Sequence, residues 1–267
     1  MPERSEFLPT FSGVLDLLRR LRAPDGCPWD REQTPRTLLP HLIEEAHETA
    51  EAIEAGDTAR IVDELGDLLL HLAFQIVIAE ERGDFDLSAV AGGLIDKMVR
   101  RHPHVFGDAE YAGDGHQATW ERLKREERTA GDAAAQPGAI GALPGGLPAL
   151  VRAYRIQQKA AAVGFDWQTP DGARAKVDEE LTETAAASGG PPEALEEEFG
   201  DLLFAIVNWG RLLGLHPHTA LQRANRKFEE RFRRLESLAA QRGLRLDGQP
   251  LETLDALWDE VKELERT

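Results

Sequence analysis

The sequence predicts an all-α protein, a tandem repeat of two helical bundles joined by an Ala/Gly/Pro-rich linker. Three observations carry this. Ala, Leu, Glu and Arg dominate the composition, and all favour helix. No alternating apolar and polar run is long enough for a strand. Four elements recur in the same order in each half: a Trp/Asp pair, a helical hairpin rich in carboxylates, a helix with Lys and Arg one turn apart, and a helix carrying Trp.

Taken in order, apolar residues at 14, 15, 17, 18 and 21 form one stripe and predict a helix over 14–22. Trp29-Asp30 follows. Helices over 38–55 and 58–81 make the first hairpin, broken at Gly56-Asp57, with Asp57 placed to cap the second arm. A helix over 87–101 carries Lys97 and Arg101 and stops before Pro103. A helix over 116–128 carries Trp120. Residues 130–148 are dominated by Ala, Gly and Pro, with Asp132 the only charge, which predicts a linker. The expected domains are therefore 1–129 and 149–267. In the second, helices are predicted over 148–163, 173–187, 192–213, 219–242 and 251–264. Asp166-Trp167 precedes the second hairpin, and Pro191 or Pro192 suits a helix start. Lys227 and Arg231 match Lys97 and Arg101, and Trp258 matches Trp120.

The hairpins hold the chemistry. In the first, Glu48/Glu64 and Glu45/Asp67 share one midpoint, at Gly56. In the second, Glu183/Glu198 and Glu180/Asp201 share one midpoint within the 188–192 turn. Folding at those turns brings four carboxylates to one height, two from each arm, since residues three apart share a helix face. Four facing carboxylates repel unless a hard cation lies among them. Each hairpin is thus a candidate Mg²⁺ site, with Mn²⁺ the alternative. A di-iron site would want Glu-x-x-His from two helices, and Glu-x-x-Asp stands here instead. The bland alternative is a solvated acidic face. Against it, the carboxylates border apolar runs at Leu65, 68–70 and 202–204. Gly66 and Gly200 lie inside helices, where glycine costs about 1 kcal/mol against alanine. They suit either a close approach to the site or tight helix packing.

Lys227 and Arg231 share a face, with Asn225 nearby, and such a pair can grip a phosphate chain. Lys176, one turn before Glu180, points along the same groove. A surface charge ladder is the plain alternative. Trp258 can stack on a base or fill core. His102 and His104, with Pro103 between them, suit a helix end, and Cys27 suits packing.

The formal net charge of −17 argues against a general nucleic-acid or anionic-membrane binder. The most apolar stretch, 68–79, is interrupted by His71 and Gln75 and falls short of the ~20 residues a bilayer span needs. A single cysteine and the absence of a secretory pattern at the start make the cytoplasm the expected location.

The chain resembles the MazG-type nucleoside triphosphate pyrophosphohydrolases over nearly its whole length. The resemblance rests on Gly26-Cys27-Pro28-Trp29-Asp30, the two Glu-Glu-x-x-Glu…Glu-x-x-Asp hairpins, Arg101-His102-Pro103-His104-Val105-Phe106, Val163-Gly164-Phe165-Asp166-Trp167 and Asn225-Arg226-Lys227-Phe228-x-x-Arg231. It implies Mg²⁺-dependent hydrolysis of nucleoside triphosphates to monophosphate and pyrophosphate, by homodimers of all-α bundles. It places metal ligands on Glu180, Glu183, Glu198 and Asp201. It places substrate contacts on Lys176, Glu179, Glu197, Asn225, Lys227, Glu230, Arg231 and Trp258, with Glu179 or Glu197 orienting the attacking water. The first half keeps a second candidate cage, Glu45, Glu48, Glu64 and Asp67. There, however, His41 stands where Lys176 stands and Ile95 where Asn225 stands. Weak activity or a structural role is expected of it. A non-catalytic nucleotide sensor and a plain helical scaffold are the competing functions.

Overall fold

The computed structural model describes residues 7–108, Trp120, Leu123 and residues 138–266. Among them there is no strand, and the all-α class holds. The chain divides into two compact units, Met1–Glu110 and Tyr111–Thr267. Most of the predicted 116–128 helix and residues 130–137 of the expected linker lie outside the described residues; Trp120 and Leu123 are helical.

In the first unit, α1 (Phe11–Arg22) starts where the Thr10 side chain accepts from the Gly13 N–H. A tight turn leads to α2 (Pro28–Glu32), a five-residue helix that the apolar pattern does not announce. Gly26 is required in that turn, because a Cβ there would overlap the Leu21 carbonyl oxygen. The guanidinium of Arg22 donates to the carbonyls of Asp30 and Gln33, which ties α2 back to α1.

The hairpin is α3 (Leu39–Ala55) and α4 (Thr58–Arg82). Gly56 takes the left-handed φ of 70° that ends α3, and Asp57 accepts from the N–H groups of Ala59 and Arg60 to start α4. The core lies between α1 and α4, where Leu15, Leu18, Ala73, Phe74 and Val77 are buried. Ion pairs Arg19–Glu80 and Arg22–Glu81, at 2.8 and 2.7 Å, edge that contact. Next, α5 (Leu87–Arg101) is capped by Asp86, meets the core through Leu87, and has α6 (Pro103–Phe106) as its chief neighbour.

In the second unit, α7 (Ala149–Ala161) packs on the hairpin of α8 (Pro170–Ala187) and α9 (Pro192–Leu212). Val177, Leu202 and Ala205 are the buried seam of that hairpin, with Trp209 against them. A separate cluster joins α10 (Pro217–Gln241) to α11 (Leu251–Leu264) through Leu235, Ala239, Leu257 and Val261.

Gly66 and Gly200 do not mark tight packing within the chain: a Cβ added at either would meet no atom within 4 Å. Both lie on faces with exposed apolar neighbours, Leu65 and Leu69 in α4 and Phe199 and Leu203 in α9.

Candidate metal centre and its cavity

The second hairpin brings three of its four expected carboxylates together. Oxygens of Glu180, Glu198 and Asp201 lie within 4.8 Å of one another. Glu183 is exposed and outside that group of three, yet it faces Glu198. Burial, then Glu183, Glu180 and Asp201, push the Glu198 carboxyl above the usual carboxylate range. Glu180 is only 5 % exposed. One of its oxygens meets the Lys176 ammonium at 2.6 Å; the other is buried with no hydrogen-bond partner. Lys176 also reaches Glu179, at 2.9 Å. Its bond to Glu180, then that to Glu179, raises its pKa above the ordinary lysine value and holds it charged.

The first hairpin repeats the pattern with a different three. Oxygens of Glu45, Glu48 and Glu64 lie within 4.8 Å of one another, and Asp67 stands outside them. Burial, then Asp67, Glu48 and Glu64, lift Glu45, and Glu64 is the largest cause lifting Glu48. One oxygen of Glu45 is buried and unpartnered, like that of Glu180. Each cluster therefore offers self-repelling oxygen donors and one buried carboxylate oxygen without a hydrogen bond. Sulfur and nitrogen are absent from both groups. A hard divalent cation fits such a donor set and would offset its repulsion.

A cavity of about 520 Å³ opens beside the second cluster. Lys176, Glu180 and Asp201 form its acidic end. Helix α7 supplies Ile156, Gln157 and Ala160, and α9 supplies Phe204, Ala205, Asn208 and Arg211. The turn after α7 supplies Phe165, Asp166 and Trp167. Gly164, with φ 88°, reverses the chain there. The Asp166 carboxylate accepts from Trp167 N–H at 2.9 Å and from Arg211 at 2.5 Å, which fixes the turn against α9.

The remaining predicted site residues stand elsewhere in this unit. Asn225, Lys227, Glu230, Arg231 and Trp258 do not line the cavity. Glu265 pairs with Arg231 at 2.7 Å and with Arg234 at 3.1 Å; the Arg231 bond first, then the charges of Arg234 and Lys227, hold its carboxyl below the usual range. Trp258 packs on the α10–α11 cluster and meets Phe228 at 5.1 Å between ring centroids. Glu179 and Glu197 are exposed beside the cage.

Sequence reasoning did not find Gln157, Asn208, Arg211 or Glu265, and it singled out Asp166 only as part of a recurrent motif. Asn208 alone left a trace, since it interrupts the apolar run of α9.

The description "MazG nucleotide pyrophosphohydrolase domain" belongs to the family model that matches residues 33–106, which hold the first hairpin. A nucleoside triphosphate pyrophosphohydrolase/pyrophosphatase MazG from Thermotoga maritima is 44 % identical over 252 residues, 94 % of this chain and 95 % of that protein. A nucleoside triphosphate pyrophosphohydrolase from Escherichia coli K12 is 44 % identical over 257 residues, 94 % of this chain and 97 % of its own length. YabN of Bacillus subtilis is 41 % identical over 96 % of this chain, which spans 52 % of that longer protein. With such identity along nearly its whole length, the chain belongs to the MazG family of nucleotide pyrophosphohydrolases, hydrolases that act on acid anhydrides.

Proposed function

We propose that the chain hydrolyses nucleoside triphosphates, ribo- or deoxyribo-, to the monophosphate and pyrophosphate with Mg²⁺, in its second unit. The observation that carries this is the Glu180, Glu198 and Asp201 cluster at the end of a cavity of ligand size, with Lys176 beside it. Both named relatives support the reaction class.

Glu180, Glu183, Glu198 and Asp201 would hold the cation. Bound there, it would neutralise the phosphate oxygens as pyrophosphate leaves. Glu179 and Glu197 stand outside the group of three, where each can orient water and accept its proton. Lys176 holds a permanent positive charge at the phosphate end. Lys227 and Arg231 serve the phosphate chain once it draws them from Glu265.

The first half of the chain, a domain over residues 1–129 with 130–148 the link to 149–267, has a weak or structural role. Its cage is present, but His41 replaces Lys176, and the cavity there is about 200 Å³. The exposed apolar faces around Gly66 and Gly200 suit a homodimer. No helix among the described residues is long and apolar enough to cross a membrane, which accords with action on a cytoplasmic nucleotide pool.

The test is product analysis on a panel of NTPs and dNTPs with Mg²⁺. Monophosphate and pyrophosphate are expected; orthophosphate and diphosphate refute the reaction class. Binding without turnover favours a nucleotide sensor instead.

A further inference from the structure

We propose that Gln157 and Asn208 read the edge of the nucleobase in the second unit's cavity, as specificity-determining residues. This rests on the second unit being the one that takes the nucleotide.

Gln157 is 5 % exposed, although an amide is costly to bury unpaired. Its Nε2 donates to the carbonyl of Phe204 at 2.7 Å, which fixes the amide. Its Oε1 is then left buried with no partner, in a side chain that lines the cavity, and a small turn of that side chain would offer it to a ligand. Asn208 is 7 % exposed on the facing helix. Its Oδ1 accepts from Arg211 Nε and Nη2 at 2.9 and 2.7 Å, so its Nδ2 is the group left for a ligand. Arg211 is itself anchored by Asp166. The residues lining the cavity thus hold one acceptor and one donor that no group of the protein uses. Its walls are otherwise mostly apolar or aromatic, and Phe165, 83 % exposed, and Trp167 can flank a flat ring. Lys176, Glu180 and Asp201 mark the other end, so base and phosphates have opposite places.

The first unit supplies an internal control. Its smaller cavity is built from the matching positions, counted from the carboxylates. Phe74 lies seven residues after Asp67, as Asn208 lies seven after Asp201. His71 matches Ala205, Leu70 matches Phe204, and His41 matches Lys176. Helix α1 lines it with Leu18 and Leu21, whereas α7 lines the larger cavity with Ile156, Gln157 and Ala160. Both amides are thus absent there. Phe74 and His71 add bulk, and the volume of about 200 Å³ falls below the ~300 Å³ at which ligand pockets begin. The polar pair goes with the room for a ligand, which a purely structural role for the amides does not explain.

Every base carries an N–H beside an acceptor on its pairing edge, so the pair Gln157/Asn208 admits all four. Guanine alone carries two adjacent N–H groups there, on N1 and N2. Replacing Asn208 by Asp keeps the Oδ1 bonds to Arg211 and turns the donor into an acceptor. Two acceptors then face the base, and guanine is favoured.

The test uses the full chain, Mg²⁺ and the α,β-methylene analogues of ATP, CTP, GTP and UTP, which resist cleavage. Turnover of ordinary NTPs is scored separately, so failure of catalysis and failure of base reading are distinguishable. In N208D, titration calorimetry should show the affinity for the GTP analogue relative to the other three rising about tenfold. In Q157L, which removes the amide and keeps most of its bulk, all four analogues should weaken about tenfold while Mn²⁺ alone binds within twofold of the parent. The proposal is overturned if the unaltered chain binds no analogue, or if N208D changes all four by one factor or none. It is also overturned if Q157L loses Mn²⁺ and analogue together or leaves the analogues unaffected.

Discussion

Gly172 lets Trp167 lie against α8, and this can be tested as a coupling. A Cβ built on Gly172 overlaps the indole at Cδ1, with Cγ and Nε1 at 2.8 Å. Gly172→Ala therefore has two opposed effects. Overpacking costs about 1–3 kcal/mol, while alanine in place of glycine in a helix gains about 1 kcal/mol. The net change is a loss of about 0–2 kcal/mol, or up to about 8 °C in melting temperature for a unit of this size. Trp167→Ala empties the contested space. In that background only the helix gain remains, and Gly172→Ala should stabilise by about 1 kcal/mol. The coupling between the two changes is then about 1–3 kcal/mol, well above the ~0.5 kcal/mol seen for independent sites. Denaturant melts of the four proteins measure it. Equal effects of Gly172→Ala in both backgrounds would refute the packing argument. Because Trp167 also walls the cavity, Gly172→Ala should raise the KM for nucleoside triphosphates more than it lowers kcat.

Other outcomes are equally definite. Glu180→Ala with Glu183→Ala should lower turnover by at least about 10²-fold, whereas Glu45→Ala with Glu48→Ala should leave most of it; the reverse result, read by product chromatography, would move catalysis to the first unit. Glu198 is lifted above the usual carboxylate range, so its ionisation costs more in the folded chain than in the unfolded one. That penalty is absent below the ordinary carboxylate pKa and grows as pH rises through the lifted value. Without divalent ions Glu198→Gln should therefore melt above the parent at neutral pH, with the gap closing toward about pH 4; a gap that widens on acidification contradicts this. Added Mg²⁺ should stabilise the parent more than the variant. Gly200→Ala should gain about 1 kcal/mol of helix stability on an open face, yet weaken self-association if a second copy presses there. Sedimentation at several concentrations separates these, and an unchanged association constant would argue against a dimer through this face.

Helices were legible wherever an apolar period met a stop signal. Gly56 and Asp57 sit at the ends they punctuate. The five residues of α2 are too few to show a period. Helix α8 begins at Pro170, ahead of the expected 173, because its first turn carries no apolar stripe. The cage was legible because spacing on two arms and a turn between them determine which carboxylates can meet. The cavity was not. Gln157 and Asn208 look like ordinary polar positions until α7 is laid on α9, and no local pattern encodes that contact. The tie between Arg231 and Glu265 spans 34 residues and is likewise a product of packing.

The two units also show where family likeness and chemistry part. The family model falls on residues 33–106, in the unit with the smaller cavity. That is reasonable, since the hairpin, its glycine turn and its carboxylates are the recurrent pattern, and both units keep them. What differs lies beside the cage. Lys176 becomes His41, Asn208 becomes Phe74 and Ala205 becomes His71, and the first helix lines the cavity with leucines where α7 brings Gln157. Each change removes a cation or amide, or adds bulk. A cluster of acids can hold a cation in either unit, but a nucleotide needs length, a flat wall and a partner for its base edge. The first cavity also has an aromatic wall, Trp29 and Phe74, but it is smaller and lacks the lysine and both amides, so the two units differ in the neighbours of the acidic residues rather than in the acidic residues themselves.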